Sequence, residues 1–183
     1  MSNPLKKSVS IVGIGASAGG LKAIERVLAN LPSDVNMAFV IVQHLSRRCK
    51  SLMKEILERD TNMPLIVAQH DVEVKVNHIY LIPPGYEMKI EDRKLLLNVR
   101  KEDNSPNFVI DTFLNSLGMD IGAEAIGVIL SGTGSDGSRG IRSIKKNGGI
   151  IMVQDPIGSE FDGMPLSAID TQVVDFVLSP EAI

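Results

Sequence analysis

Cysteine is nearly missing from this chain: Cys49 is the only one in 183 residues. One thiol cannot close an internal disulfide, so the fold must rest on its core, and a reducing compartment fits. Histidine is scarce too. His44, His70 and His78 fall in three separate segments, and no Cys/His cluster has zinc spacing, so no metal or cofactor is expected. No run of about 18 apolar residues exists, which argues against a membrane-spanning helix. Positive charge is in slight deficit, 19 Lys and Arg against 22 Asp and Glu, for a net charge of −3. A general nucleic-acid binder usually carries a basic face, so that class is disfavoured. The exception is Arg47-Arg48-Cys49-Lys50, which reads as a solvated loop. Internal repeats and low-complexity stretches are also absent. At 44% hydrophobic and 22% charged, the composition suits one soluble domain with a substantial core.

The most informative stretch is Val12-Gly13-Ile14-Gly15-Ala16-Ser17-Ala18-Gly19-Gly20. A short apolar strand breaks into glycines, carries one serine and continues as an amphipathic segment from Leu21 to Leu28. The pattern Gly15-x-Ser17-x-Gly19 places a hydroxyl on a strand-to-helix turn, with free backbone N–H groups beside it. Small residues in a tight turn need no catalytic reason, so the pattern alone decides nothing. Gly13-x-Gly15-x-x-Ala18 also imitates a dinucleotide fingerprint. That motif needs an acid at the end of the second strand, and here the strand ends in Gln43-His44. Lys6-Lys7 before an apolar stretch imitates a secretory leader, but Ser8 to Gly15 is too short and glycine-rich for one.

Strand and helix signals alternate along most of the chain. Strands are expected near Val9–Val12, Ala38–Val42, Leu65–Ala68, Ala125–Leu130, Ile150–Gln154 and Val173–Val177. Helices are expected over Gly20–Asn30, Ser51–Arg59, Asn107–Leu117 and Ser138–Asn147, with Pro165 opening another. In the middle, Val74–Val76, Ile79–Ile82 and Glu87–Val99 read as short strands joined by turns. Met1 to Lys7 should be loose. The fold class is therefore α/β: a doubly wound, mostly parallel sheet with helices on both faces and a small antiparallel patch on its edge. A single domain over 1–183 is expected.

Ligands in such a sheet bind beyond the carboxyl ends of the strands. There the first strand delivers Ser17, the second Gln43-His44, a later one Ser131 to Gly137, and the next Gln154-Asp155. A serine is a weak nucleophile unless a neighbouring base takes its proton, and His44 is the only histidine at such a strand end. A carboxylate must then hold the imidazole. Asp136 is preferred over Asp155 because its glycine-rich loop lets backbone approach closely. Capping the helix that starts near Ser138 is the plainer role for Asp136. The Ala18 N–H and a backbone N–H in the Gly132-Thr133-Gly134 loop, assigned to Thr133, are the candidate oxyanion donors.

Five segments appear in a fixed order: Gly15-Ala16-Ser17-Ala18-Gly19-Gly20, Val42-Gln43-His44, Leu130 to Gly137, Gln154-Asp155-Pro156, and Phe161-Asp162-Gly163-Met164-Pro165. Together they resemble the catalytic domain of the bacterial chemotaxis protein-glutamate methylesterase family (CheB-type), from about Ser8 to Pro180. The resemblance implies a triad of Ser17, His44 and Asp136. It also implies hydrolysis of glutamate methyl esters, with deamidation of glutamine alongside, on the cytoplasmic domains of chemoreceptors. A cytoplasmic location follows. Ala18 and Thr133 depart from the stand-alone chemotaxis enzymes, which usually have Thr and Met there. The Ser-Gly-Thr-Gly-Ser-Asp-Gly form is closer to domains fused to methyltransferase and sensor modules. The chain starts almost at its first strand, so no receiver domain is expected, and its end at Ser179–Ile183 suits a module of something longer. Met164, Pro165 and Arg47 are the expected substrate contacts.

Overall fold

Apolar residues that alternate between two buried faces explain the first strand. In the computed structural model, which describes residues 9–44, 52–100 and 107–183, β1 (Ser10–Ala16) sends Ile11 into one core and Val12, Ile14 and Ala16 into another. The helix α1 (Gly20–Asn30) follows, and then β2 (Met37–Gln43), which divides the same way: Ala38, Val40 and Val42 against Phe39 and Ile41. Strands buried on both faces belong to parallel sheets covered by helices. Each fully buried side chain of this kind contributes about 1.5–3 kcal/mol.

The chain continues through α2 (Met53–Leu57), β3 (Leu65–Val67), β4 (Val72–Glu73), β5 (Ile79–Leu81), β6 (Tyr86–Glu91), β7 (Lys94–Val99), α3 (Val109–Ile121), β8 (Ala125–Ile129), α4 (Ser138–Lys146), β9 (Ile150–Gln154), α5 (Gly163–Ile169) and β10 (Phe176–Leu178). Seven strands form one sheet in the order β10-β9-β8-β1-β2-β5-β3, and every pair in it is parallel. Core residues of α1 and α2 cover one face, and those of α3, α4 and α5 cover the other. Strand order switches at β1, which lies between β2 and β8. The crevice beyond its carboxyl end is where a sheet of this topology binds ligands.

Gly13 and Gly15 have a packing explanation. A Cβ on Gly13 would lie 2.7 Å from Leu114 and Leu117, and one on Gly15 would lie 2.4 Å from Ile110 Cγ2. Bare backbone at these points lets α3 lie close on β1, which sets the first turn of α3 near the strand ends.

The α/β class stands, and several expectations are corrected. Ile79–Leu81 is not part of the antiparallel patch; it is β5, inserted between β2 and β3 of the main sheet. The patch itself, β4-β7-β6, is a separate three-stranded sheet and not an edge extension. It is anchored to α3, where Ser116 Oγ accepts from Ile90 N (3.0 Å) and Asp120 accepts from Asp92 N and Arg93 N (2.8 and 2.9 Å). Its first strand is Val72–Glu73, ahead of the expected Val74–Val76. Helix α2 is shorter than expected, and α3 runs four residues past Leu117, through Gly118. The last strand sits at Phe176–Leu178, and Pro165 is the third residue of α5. The loose segment expected over Met1–Lys7 and the expected helix start at Ser51 lie outside the described residues. No helix among the described residues is long and apolar enough to cross a membrane.

Candidate active site

Three strand ends meet around Ser17. Its N–H donates to Ser131 O beyond β8 (3.0 Å), and on the other side His44 N donates to Ala16 O (3.3 Å). The Ser17 carbonyl accepts from Gly20 N at the start of α1 (2.9 Å) and from Gln43 Nε2 (3.3 Å). The register of β1 on β2 pairs Ala16 with Gln43, so Ser17 and His44 are the next residues along two adjacent strands. Ser17 Oγ makes no hydrogen bond among the described residues; nucleophile–base contacts in unliganded hydrolases commonly tighten only with substrate.

His44 is held from behind. Its Nε2 lies 2.6 Å from Asp136 Oδ2, with the imidazole 29% exposed and the Asp136 carboxyl 8% exposed. An ionised carboxylate only accepts, so Nε2 carries the proton and Nδ1 is the free basic nitrogen. Asp136 also accepts from Ile110 N at Oδ2 (3.0 Å) and from Asp111 N at Oδ1 (2.8 Å). These are orphan amides of the first turn of α3, whose positive end suits an anion. Asp136 is thus a helix cap, as the plainer sequence reading had it, but of α3 and not of the helix that follows it. Asp155, the competitor, accepts from Ile157 N (2.9 Å) and caps the short turn after β9.

The loop after β8 is tied to the nucleophile turn by buried polar groups that sequence reasoning assigned no role. Ser131, 1% exposed, donates from its hydroxyl to Ala18 O (2.9 Å) and accepts there from Phe161 N (3.0 Å). Its own N–H donates to Gln154 Oε1 (2.8 Å). Gly132 N donates to Phe161 O (3.0 Å), and Met164 N donates to Gly132 O (2.8 Å). The Phe161–Pro165 segment is therefore stitched to the loop that carries Asp136. A Cβ on Gly132 would lie 2.2 Å from Met164 Sδ and 2.9 Å from Ser17 Cβ, so only glycine lets these three meet. The backbone N–H groups of Ala18 and Thr133 have no acceptor among the described residues. Met164 is 1% exposed and Pro165 is buried, so both sit beneath the site with little surface open to a ligand. Arg47 lies outside the described residues. Among the described residues, no three His, Cys, Asp or Glu side chains gather as metal ligands.

The family model described as CheB methylesterase matches residues 12–183. The chain belongs to the CheB methylesterase family. It is 38% identical over 171 residues to a putative protein-glutamate methylesterase/protein-glutamine glutaminase of Leptospira interrogans, covering 93% of this chain and 89% of that one. It is 40% identical over 131 residues to an uncharacterized 104.1 kDa protein of Rhodobacter capsulatus, spanning 72% of this chain and 14% of that one. Against other curated relatives the chain spans about half of their length. Among solved structures it is similar to the CheB methylesterase catalytic domain of Thermotoga maritima, with a TM-score of 0.85 and 28% identity, covering 95% of this chain and 94% of that one.

Proposed function

We propose that this protein is a serine esterase that hydrolyses methyl esters of glutamate side chains on chemoreceptor-type signalling proteins. The observation that carries the reading is the series formed by the Ser17 turn, the adjacent His44 and the buried Asp136. In the proposed reaction, His44 Nδ1 takes the Ser17 proton as Oγ attacks the ester carbonyl. The negative charge that develops on the carbonyl oxygen is met by the free N–H groups of Ala18 and Thr133, each such donor being worth about 3–4 kcal/mol. The His44 proton passes to the leaving oxygen, and methanol departs from the acyl-serine. Water, deprotonated by the same nitrogen, then releases the glutamate and regenerates Ser17. Asp136 holds Nε2–H throughout and stabilises the imidazolium.

A glutamine side-chain amide passes through the same tetrahedral geometry with ammonia as the leaving group, so deamidation belongs to the same proposal. The names of the curated relatives support both activities. We place the enzyme in the cytoplasm, as one catalytic domain over 1–183, with methylated receptor helices as the partner. The small share of the Rhodobacter protein that is matched supports a domain that also works fused to other modules. Arg47 is assigned to substrate contact, supplying positive charge for an acidic receptor surface. Met164 shapes the floor beneath Ser17.

Methanol release from a methylated receptor fragment tests the proposal. Wild-type protein releases methanol and Ser17→Ala does not. Equal release by the two would contradict it.

A further inference from the structure

The reaction as proposed makes no use of Asp111, yet this carboxylate is 7% exposed and lies beside the one that holds His44. It projects from the first turn of α3 and accepts at Oδ1 from two amides of the first turn of α4, Arg139 N (2.9 Å) and Gly140 N (2.8 Å). Asp136, just ahead of α4, accepts in return from Ile110 N and Asp111 N of α3. The two carboxylates have exchanged helices: each caps the start of the helix that the other belongs to or precedes. Asp111 Oδ2 is buried and has no hydrogen-bond partner.

We infer that Asp111 is a positioning residue, which fixes the carboxylate of Asp136 against His44 Nε2 by clamping the start of α4 to the start of α3. The loop from Ser131 to Gly137 runs straight into α4, so the backbone of Asp136 is anchored on one side by the bonds of Ser131 and Gly132 and on the other by the segment that Asp111 grips. Gly140 sits at the same crossing, where a Cβ would lie 2.6 Å from Leu114 Cβ and 3.1 Å from Asp111 O. A glycine there keeps its amide within reach of Asp111. The titratable and charged groups at this junction are Asp136, His44 and Arg139, the last stacked at 4.9 Å over Phe108. Burial first, and then the charge of Asp136, push the Asp111 carboxyl above its usual range, opposed by the Gly140, Arg139 and Gly137 amides. Both clamping amides fall on Oδ1, so an amide oxygen can replace the carboxylate oxygen that does the clamping.

The inference rests on the proposed pairing of Asp136 with His44, and the readout is chosen to stand apart from turnover. The proton shared by His44 Nε2 and Asp136 gives a far-downfield NMR resonance, assigned by its loss in His44→Gln. That proton should be present in wild type and Asp111→Asn, and lost or exchange-broadened in Asp111→Ala. In methanol release, Asp111→Ala should lose about tenfold to a hundredfold in kcat, the scale of a small misplacement of a catalytic group, with KM within about twofold. Asp111→Asn should restore kcat. If the alanine variant does not fold, Asp111→Leu, which fills the buried site but has no acceptor for the Arg139 and Gly140 amides, replaces it. An unchanged resonance in folded Asp111→Ala or Asp111→Leu would overturn the inference. So would its absence from wild type or from folded Asp111→Asn, or a wild-type kcat in the alanine variant. Failure of wild type to release methanol would instead refute the proposed function, while the resonance would still report on the clamp.

Discussion

Replacing Asp136 by asparagine separates its two jobs. The carboxylate accepts three hydrogen bonds, from Asp111 N at Oδ1 and from Ile110 N and His44 Nε2 at Oδ2. Asparagine has one accepting oxygen. With that oxygen at the Oδ2 position, Ile110 keeps its bond and the amide nitrogen faces the Asp111 N–H, so neither of these two donors has an acceptor. The cost is about 1–3 kcal/mol of stability, read as a lower denaturant midpoint with an unchanged slope. The effect on turnover should be larger. The negative charge that stabilises imidazolium is gone, and in serine hydrolases this exchange costs about four orders of magnitude in kcat. Denaturant unfolding and methanol release on the same preparation measure both. Stability lost with turnover intact would reduce Asp136 to a helix cap and refute the reasoning about His44. Turnover lost with stability intact would show that the α3 amides do not depend on this side chain.

Other outcomes follow from the same contacts. Ser17→Ala should abolish methanol release while leaving the unfolding midpoint near wild type, since Ser17 Oγ makes no hydrogen bond among the described residues. Gly15→Ala places a methyl 2.4 Å from Ile110 Cγ2 and should destabilise by about 1–3 kcal/mol in thermal or chemical unfolding, with activity falling because Ile110 N is an anchor of Asp136. The Lys145 ammonium holds the Asp175 carboxyl below its usual range. A depressed folded value means that the contribution is present above the ordinary carboxylate pKa and is lost as pH falls through the folded one. The stability deficit of Lys145→Ala should therefore be largest near neutral pH and shrink in acid, which unfolding curves from pH 7 to 3 would show.

Local pattern sufficed where burial was regular. β2 and β9 were legible because a two-sided sheet writes an apolar run into the chain, and Ser17 because a strand-to-helix turn has its own glycine chemistry; β1 was expected to end at Val12, where Gly13 and Gly15 interrupt the apolar run, but it continues to Ala16. β5 was not legible. Ile79-Tyr80-Leu81-Ile82 sits between turn residues just like a hairpin strand, and its place between β2 and β3 is set by distant partners. The helix expected to end at Leu117 continues to Ile121, and Gly118 inside it is the contact point of α3 on α4, where a Cβ would lie 2.6 Å from Ile144 N. Asp136 was found as a polar strand-end residue, but the helix that it caps belongs to another part of the chain, and no spacing rule encodes that. Asp111 did leave a signal that went unread: a carboxylate on the apolar stripe of Ile110, Leu114 and Leu117. A charge there needs partners from outside its own helix.

The central claim is that His44, held by Asp136, makes Ser17 a nucleophile. Labelling with an active-site-directed fluorophosphonate, followed by peptide mass spectrometry, tests it most directly. One adduct on Ser17 is expected in wild type, with labelling suppressed in His44→Gln and in Asp136→Asn. An adduct on another residue, or equal labelling of Ser17 in the His44→Gln protein, would contradict it.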